Sequence, residues 1–589
     1  MTARARALST ALVLTVGLIA APTTASATPG LAKEPLATGY GGAVVSDTVE
    51  ATKAGIDVLR RGGTATDAAV AVAATLGVTD PFMAGLGGGG FFVHYDARTG
   101  RVSTIDGRET TPAAGDAQMF IDPATGSPYP FFKAVTSGLS VGTPGMLATW
   151  ERALQRWGTI SLKEALKPAI KVADKGFPLT PELRAEIVAN QDRLKQFTSS
   201  AELFLPGGAA PEVGALMRNR DLANTYREIA KHGTRSFYGG SIGRDIAAAT
   251  QSPPLAPDAT ITPPPGRMTV QDLRDYRTID RAPTHVGYRG YDVYGMAPSS
   301  SGGITVGEAL NILETFEVNG MTQTQALHHY LEASKLAFAD RNRYIGDPAF
   351  VNVPQDRLLS DAYAAQRACL IDPTKVLPAP TAPDAGCVAA TGTASAENEV
   401  HTNHFVVSDR RGNVVSYTNT IEQVGGSAIV VPGRGFLLNN ELTDFNFTPT
   451  QGSAPDPNLA APGKRPRSSM SPTIVLKDGK PFLALGSPGG STIITTVLQI
   501  LLNRIDLGMN LRDAVWAPRA TQRNTASTVA EPGFIAAADG LRALGHTFTQ
   551  QQFIGAAATI EFLPRGKVQA VGEQVRRGGT SAAVVFPAR

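Results

Sequence analysis

Thr402 stands where a soft loop becomes an apolar strand, a position suited to a nucleophile that the chain exposes by cutting itself. A segment rich in Ala, Thr, Gly and Glu runs from about Asp384 to His401, and alternating apolar residues follow Thr402. A threonine that carries its own free α-amine is one of the recognised activated hydroxyl nucleophiles. The alternative is that Thr402 is an ordinary threonine that opens a strand.

The densest set of polar residues on apolar sequence lies in the carboxyl half of the chain. It comprises Thr402, Thr420, Asn439, Asn440, Glu441, Asp444, Ser468, Ser469, Gly489 and Gly490. The glycine pair precedes a predicted helix and offers backbone N–H donors, which an oxyanion hole requires. Carboxylates beside hydroxyls can hold an ammonium group, and Arg108 can bind a carboxylate through two parallel hydrogen bonds. The set therefore favours a ligand with an α-amino acid group; the alternative is turn glycines and solvated acids.

Other catalytic arrangements find little support in the sequence. The eight His are scattered, His401 and His404 fall at a loop-to-strand junction, and no H-E-x-x-H or Cys cluster is present, so we expect no metal. No G-x-S-x-G motif occurs, and the serines at 299–301 and 468–469 have no identifiable base. The glycines at 87–90 lack the Gly-Lys-Ser/Thr of a phosphate-binding loop. We therefore predict no cofactor.

The amino terminus is predicted to be a signal peptide, residues 1–27. Arg4 and Arg6 precede an apolar segment at 11–21, and the Ala-Ser-Ala at 25–27 fits a cleavage site. The apolar segment is too short to span a bilayer, which needs ~20 apolar residues. We expect a protein that is secreted or periplasmic and has no membrane anchor.

Charge and cysteine content narrow the possible partners and the cellular compartment. The net charge is +3, from 54 basic and 51 acidic residues, and no basic run occurs, which argues against a nucleic-acid partner. The chain has two cysteines, Cys369 and Cys387. In an exported protein this pair favours a disulfide that closes the loop just upstream of Thr402. Two free, buried thiols are the alternative.

The elements that must position these residues alternate between short strands and helices without a βαβ rhythm. Periodicity predicts helices at 50–61, 66–76, from about 304, 324–344 and 492–503. It predicts a hairpin after Thr402 that turns at 411–413, and strands at 91–93, 102–105, 291–294, 435–438, 473–476 and 482–485. This pattern favours packed sheets covered by helices over a parallel doubly wound sheet.

Eight segments of the chain, in order, resemble the γ-glutamyltranspeptidases, a family of the N-terminal nucleophile hydrolase superfamily. They are VLRRGGTATDAAVAVAATLGVTDP, GLGGGGFFVHYD, DGRE, APSSSGG, TNHFVVSD, LLNNELTDF, KRPRSSMSPT and GSPGGSTIITT. The resemblance covers nearly all of the mature sequence. It implies an α+β fold with a four-layer αββα sandwich, built from two chains after self-cleavage. Residues 28–401 would form the large subunit and 402–589 the small catalytic subunit, a heterodimer of the chain's own fragments in one intertwined unit.

The resemblance also implies how the nucleophile is made and used. Thr402 would attack the His401 carbonyl, and hydrolysis of the resulting ester would free the Thr402 α-amine. With a reference pKa of about 7.7–8.0, that amine is suited to act as general base near neutral pH. Thr420 matches the threonine that hydrogen-bonds the nucleophile, and Gly489 and Gly490 match the oxyanion-hole pair.

The donor pocket is assigned in the same way. Arg108 matches the arginine that binds the substrate α-carboxylate, assisted by Ser468 and Ser469, and Glu441 and Asp444 match the residues that hold the α-ammonium. The implied reaction transfers a γ-glutamyl group from glutathione or another γ-glutamyl amide through an acyl-enzyme. Water as acceptor gives hydrolysis, and an amino acid or peptide gives transpeptidation.

Two departures from the family pattern affect specificity. Glu422 stands where many members have Asn, which places three carboxylates around one ammonium, and close like charges raise one another's pKa. The segment 444–468 is several residues shorter than in members with a full lid, which predicts a more open cleft and tolerance of bulkier donors.

Two alternatives stay open: an acylase for another amide, of the β-lactam side-chain type, which Arg108 argues against, and a non-catalytic secreted binding protein.

Overall fold

The computed structural model of the protein describes residues 32–384, 386–387 and 402–588. The predicted signal peptide (1–27) and His401 lie outside the described residues. Within them, no helix is long and apolar enough to cross a membrane.

The strands vary from two to eleven residues in length. They are β1 (Leu36–Ser46), β2 (Gly89–Asp96), β3 (Arg101–Gly107), β4 (Phe177–Pro178), β5 (Leu216–Met217), β6 (Ile279–Arg281), β7 (Thr284–Tyr288), β8 (Tyr291–Gly295), β9 (Asn403–Asp409), β10 (Val414–Thr420), β11 (Thr473–Lys477), β12 (Lys480–Gly486), β13 (Ala520–Thr521), β14 (Thr528–Ala530), β15 (Phe548–Gln550), β16 (Ala558–Phe562), β17 (Val568–Gly572) and β18 (Ser581–Pro587).

The helices lie mostly between the first three strands and the hairpin β9–β10. They are α1 (Val49–Arg60), α2 (Ala65–Thr79), α3 (Phe131–Val135), α4 (Met146–Trp157), α5 (Leu162–Ala165), α6 (Lys167–Lys175), α7 (Pro181–Leu194), α8 (Thr198–Phe204), α9 (Arg220–His232), α10 (Arg235–Tyr238), α11 (Ser241–Gln251), α12 (Val270–Asp275), α13 (Gly302–Glu314), α14 (Gln323–Tyr344), α15 (Gln355–Leu358), α16 (Asp361–Ala368), α17 (Thr492–Ile505), α18 (Leu511–Trp516), α19 (Pro532–Ala536) and α20 (Asp539–Ala543).

One long sheet supplies the two middle layers of the fold. Its strand order is β6-β3-β2-β10-β9-β1-β17-β16-β12-β11-β8-β7, with β18 also paired to β1, and its neighbouring strands are antiparallel. The sheet folds over so that its two halves face each other: Ser416 Oγ on β10 donates to the Leu485 carbonyl on β12 over 3.0 Å, although these strands are not neighbours.

Three hydrophobic cores separate four layers. The first packs α1, α2 and α4 against β2, β9 and β10; the second packs α13, α14 and α17 against β7, β8, β11 and β12; the third lies between the two halves of the sheet. Side chains alternate accordingly, since Phe405 and Val407 of β9 enter the first core and Val406 enters the third. This arrangement confirms the predicted α+β class with αββα layers.

The buried helix α2 has an N-terminal cap that its sequence specifies. The Thr64 hydroxyl accepts from the Asp67 N–H and the Asp67 carboxylate accepts from the Thr64 N–H, which together form a capping box. Every residue of α2 is buried, so this helix forms the floor under the β9–β10 hairpin.

Most of the predicted elements are present, and one is wrong. The hairpin after Thr402 and its turn are found as β9 and β10. The strand expected at 435–438 is absent from the ladder, because Leu437 and Leu438 make only single bridges, to Val430 and Gly87. That segment instead leads into a short 3-10 helix, Glu441–Asp444, which carries two of the predicted site residues.

Candidate active site

A cavity of about 300 Å³ opens at the start of β9 and collects nearly all of the predicted site residues. Its lining includes Thr402, Thr420, Gly490, Arg108, Glu422, Glu441, Asp444, Ser468 and Ser469. Gly489, the remaining predicted residue, directly precedes Gly490 in the turn before α17. Segments from both ends of the sequence therefore converge on one pocket.

Thr402 lies at the cavity wall, immediately before β9, and is 3% exposed. Its Oγ1 donates to Thr420 Oγ1 over 3.2 Å, and Thr420 Oγ1 also accepts from the Glu422 backbone N–H over 2.8 Å. The two threonines face each other because Thr402 directly precedes β9 and Thr420 ends β10, the strand paired with β9. The pairing fixes the Thr402 hydroxyl at the edge of the pocket.

The carbonyl of Thr402 is held by an ionic cluster of Arg577, Asp47 and Asp80, in which the two acids are buried and the arginine side chain is 20% exposed. Arg577 Nη1 donates to the Thr402 carbonyl over 2.7 Å, and the same guanidinium lies 3.2 Å from Asp47 and 3.5 Å from Asp80. Asp80 also accepts from the Asn403 side chain over 2.7 Å. Burial raises the pKa of Asp80 to about 6, although Arg577 lowers it in part. Sequence reasoning missed this cluster, since its members are far apart in the chain.

Gly489 and Gly490 have backbone conformations that favour glycine. Their φ angles are +129° and +56°, and a Cβ on Gly489 would lie 2.6 Å from Thr492 Oγ1. The Gly489 carbonyl accepts from the N–H and the hydroxyl of Thr492. The N–H groups of both glycines have no acceptor among the described residues, so they are available to a ligand oxygen.

Arg108 is paired with both of the acids expected to hold an ammonium group. Its Nη1 bonds Glu441 Oε1 and its Nη2 bonds Asp444 Oδ2, while Nε donates to the Pro466 carbonyl over 3.2 Å and Nη2 to the Arg467 carbonyl over 3.4 Å. A guanidinium has five N–H donors, so four are engaged. The expected bidentate hydrogen bonding of Arg108 to a ligand carboxylate would require the ligand to displace at least one of these partners.

Glu422 is the third carboxyl of the pocket, and its surroundings favour the neutral form. It is buried, it accepts from the Asn440 side-chain amide, and it hydrogen-bonds the carboxyl of Asp444. Burial, and then the charge of Asp444, hold the pKa of Glu422 well above its usual range. Burial and the charge of Asp444 therefore oppose the simultaneous ionisation of the three acids.

Ser468 and Ser469 are held by two elements that the sequence did not connect with them. The Ser301 N–H and hydroxyl both donate to the Ser468 carbonyl, over 2.7 and 2.6 Å. The Ser469 hydroxyl accepts from Arg341 Nη2 on α14 over 2.7 Å. Arg341 also lines the cavity, and sequence reasoning missed it because α14 reads only as a regular helix.

The loop 445–464 covers one side of the cavity. Phe445, Asn446, Phe447, Thr448 and Thr450 line the pocket. The ring of Phe447 stacks on Phe120 with centroids 4.3 Å apart. Asp456 fixes the loop, because its carboxylate accepts from the Asn446 side chain, from the N–H and hydroxyl of Thr450 and from the Asn458 N–H. The expectation that this loop leaves the cleft more open to bulky donors stays a prediction.

Cys369 and Cys387 are joined by a disulfide, with their Cα atoms 5.3 Å apart. The bridge ties the end of α16 to the last residues described before position 402. Among the described residues, no group of three or more His, Cys, Asp or Glu side chains could hold a metal ion.

The chain is similar to known proteins over most of its length. A solved cephalosporin acylase from Bacillus halodurans has the same fold over 94% of this chain and 98% of its own, with a TM-score of 0.81 and 28% identity. This likeness and the αββα layers place the protein among the N-terminal nucleophile hydrolases. The γ-glutamyltranspeptidase family model matches residues 51–583, and the chain belongs to that family.

Relatives with two different names match at similar levels. A glutathione hydrolase proenzyme of Bacillus subtilis (strain 168) is 39% identical over 553 residues, which is 92% of this chain and 91% of the relative. The acylase ACY 1 proenzyme of Pseudomonas sp. (strain SE83) is 36% identical over 540 residues, or 90% and 91%. The family is therefore established, while the relatives differ in the amide that their names imply.

Proposed function

We propose that the protein is an exported γ-glutamyl hydrolase and transpeptidase that cleaves itself before Thr402. The observation that carries this proposal is the position of the Thr402 hydroxyl, 3.2 Å from Thr420, on a cavity that also contains an arginine and acids for an α-amino acid group. Membership of the γ-glutamyltranspeptidase family supports the same reaction class.

The first reaction would mature the protein. Thr402 Oγ1 attacks the carbonyl carbon of His401, the peptide bond to the Thr402 nitrogen breaks, and that nitrogen takes the proton as the ester forms. Water then hydrolyses the ester, which leaves a carboxylate on residue 401 and a free α-amine on Thr402. The large subunit would be residues 28–401 and the small subunit 402–589; the word proenzyme in the names of the relatives supports maturation by cleavage.

The second reaction would transfer the γ-glutamyl group. The Thr402 α-amine takes the proton of Oγ1, Oγ1 attacks the γ-carbonyl carbon, and the N–H groups of Gly489 and Gly490 stabilise the oxyanion. The donor amide bond breaks, the leaving amine takes the proton, and an ester on Thr402 remains. Water or the amine of an amino acid or peptide then attacks this ester.

The donor's charged groups would enter the Arg108 cluster by exchange. The donor α-ammonium takes the place of Arg108 at Glu441 and Asp444, and the donor α-carboxylate takes the place of the acids at Arg108 and meets Ser468 and Ser469. Because a zwitterion brings one charge of each sign, Arg108 and the acids each keep a charged partner and no buried charge is left without one.

A denaturing gel of the purified protein tests the self-cleavage. We expect two bands that divide at Thr402, a single band in Thr402→Ala, and Thr402-dependent release of nitroaniline from γ-glutamyl-p-nitroanilide. A single uncut chain without such turnover would refute the enzyme and favour the non-catalytic binding protein. Amino-terminal sequencing of protein recovered outside the cytoplasm tests the export, with a first residue near Thr28 as the expected result.

An acylase for another amide is the second candidate, favoured by the additional carboxyl of Glu422 and by the acylase relative. Glutaryl-p-nitroanilide keeps the carboxylate of the γ-glutamyl donor but lacks its ammonium, so the pair separates the two activities. A kcat/KM higher for the γ-glutamyl donor supports the proposed function, and a higher value for the glutaryl donor supports the acylase.

A further inference from the structure

The serines at 299–301 form the support of the serine pair at 468–469. They lie just before α13 and run beside that pair: the Ser468 N–H donates to the Ser299 carbonyl over 3.1 Å, and the Ser300 hydroxyl donates to the Met470 carbonyl over 2.6 Å. Together with the bonds from Ser301 to the Ser468 carbonyl, these contacts fix the backbone of this wall of the cavity.

Arg341 connects both groups of serines. Its side chain is 1% exposed; Nε donates to Ser301 Oγ over 2.8 Å, Nη2 donates to Ser469 Oγ over 2.7 Å and Nη1 donates to Asn342 Oδ1 over 2.9 Å. A guanidinium can only donate, so Ser469 Oγ acts as acceptor toward Arg341. Its own O–H remains available as a donor on the cavity side, since Ser469 lines the cavity.

A hydroxyl that accepts from a cation becomes a stronger donor, because consecutive hydrogen bonds polarise one another in a low-dielectric site. The bond from Arg341 therefore does two things to Ser469: it orients the hydroxyl and it strengthens its outgoing bond. The same guanidinium fixes Ser301, whose hydroxyl donates to the Ser468 carbonyl. The positive charge of Arg341 thus lies one hydroxyl away from any anion bound at the serine pair.

Arg108 alone does not account for a carboxylate site here. Four of its N–H donors are engaged, two of them by Glu441 and Asp444. We propose that Arg341 is a positioning residue for the donor α-carboxylate, which it holds through Ser469 while it fixes Ser468 through Ser301. This inference rests on the proposed function for the identity of the ligand.

Three small ligands that share the carboxylate of the acyl end test the inference without turnover. In addition to that carboxylate, L-glutamate carries the α-carboxylate and the α-ammonium. Glutarate carries the α-carboxylate but no ammonium, and 4-aminobutyrate carries the ammonium but no α-carboxylate. Calorimetric titration of the purified protein would give Kd for each ligand in wild type, Arg341→Gln and Ser469→Ala. Arg60→Gln, which removes one exposed guanidinium on α1, is the matched control.

We expect Kd for L-glutamate and glutarate to rise about tenfold in Arg341→Gln, the loss typical of one hydrogen bond to a charged group. Kd for 4-aminobutyrate should stay within about twofold of the wild-type value, because this ligand has no α-carboxylate and so loses no hydrogen bond to a charged group. Because Ser469 acts on the carboxylate under the control of Arg341, the Arg341→Gln/Ser469→Ala double variant should lose little more than Arg341→Gln alone. If Arg341→Gln does not fold, Arg341→Lys, which keeps the charge but not the planar fork, should give the same pattern across the three ligands.

Equal weakening of all three ligands would overturn the inference, since it indicates a general structural role for Arg341. Unchanged glutarate binding, or no binding of glutarate and L-glutamate to the wild type, would overturn it as well. Turnover separates the two proposals. Arg341-dependent glutarate binding without any Thr402-dependent turnover of γ-glutamyl-p-nitroanilide would refute only the proposed function, and normal turnover with Arg341-independent binding would refute only the inference.

Discussion

At the scale of single residues, the charged side chains of the pocket are paired with one another. Arg108 is bonded to Glu441 and Asp444, and Glu422 shares a hydrogen bond with Asp444. A ligand with one charge would break these pairs and leave a buried group without a partner, which is costly. A ligand with a carboxylate and an ammonium replaces each lost partner with a new one. The pairing therefore selects for a complete zwitterion under the proposed function.

Glu422→Gln tests the neutral state of Glu422 through the pH dependence of stability. A glutamate titrates near pH 4.3 in the unfolded chain, whereas the native side chain keeps its proton to a much higher pH because it is buried beside Asp444. Between these two pKa values the native state binds one more proton, so wild-type stability falls by about 1.4 kcal/mol per pH unit as the pH rises. The amide of Glu422→Gln does not titrate and escapes this loss.

The melting temperature of Glu422→Gln relative to wild type should therefore rise as the pH is raised from about 5, above the unfolded-state pKa, toward the raised native pKa of Glu422. Thermal melts at four pH values measure the difference. Glu164→Gln, at an exposed position on α5, is the control and should show no trend. A constant difference across the pH range would mean that Glu422 is ionised throughout.

At the scale of elements, the loop 445–464 depends on one carboxylate. Asp456 accepts hydrogen bonds from three residues of the loop, and these donors keep its pKa below the usual range although burial alone would raise it. Asp456→Ala should release the loop. We expect faster chymotryptic cleavage at Phe447 and a rise in KM of up to about tenfold for γ-glutamyl-p-nitroanilide, the loss expected for hydrogen bonds to a charged group.

Asp258→Ala is the matched control for the loop, because Asp258 is exposed in the separate loop at 252–266. It should change neither the cleavage rate at Phe447 nor KM. If Asp456→Ala is cut no faster than wild type, the loop is held mainly by the stacking of Phe447 on Phe120.

The carboxyl-terminal turn Arg576–Gly578 is a second element that acts on the site. Arg577 has a left-handed backbone, with φ +53°, and bonds the Thr402 carbonyl over 2.7 Å. Arg577→Gln should let Thr402 rotate away from Thr420. A displacement of about 1 Å can cost about a hundredfold in rate, so we expect kcat for γ-glutamyl-p-nitroanilide to fall by about ten- to a hundredfold.

Arg565→Gln, at an exposed turn in the same region, serves as control and should keep the wild-type kcat. Melts of both variants confirm that each is folded. An Arg577→Gln enzyme with an unchanged kcat would show that Thr420 suffices to hold the nucleophile.

Local patterns predicted the elements well, whereas long-range partners could not be predicted. The hairpin β9–β10 follows from alternating apolar residues and a Gly-Asn turn, both of which are local. The strand expected at 435–438 failed because its apolar residues are buried by a turn that delivers Glu441 to the pocket. Arg341 and Arg577 were missed because Ser469 and Thr402, the site residues that they bond, are more than a hundred residues away, and nothing in the neighbouring sequence marks them.

At the scale of the whole molecule, the segments on either side of position 402 alternate across the sheet. In strand order, β6, β3 and β2 precede position 402 in the chain, β10 and β9 follow it, β1 precedes it, β17, β16, β12 and β11 follow it, and β8 and β7 precede it. Five ladder contacts therefore join the two proposed subunits: β2–β10, β9–β1, β1–β17, β1–β18 and β11–β8. The core between the sheet halves also draws on both segments.

Self-cleavage before Thr402 should consequently leave both fragments in one particle. Separating them would break five strand pairings and expose all three hydrophobic cores to water, a cost far above that of an ordinary surface interface. We expect the cleaved protein to elute from a sizing column in native buffer at the same volume as uncut Thr402→Ala, and to separate into two species only in denaturant. Fragments of the cleaved protein that elute apart in native buffer would contradict this strand order, because no arrangement that interleaves the two segments allows them to part while the sheet persists.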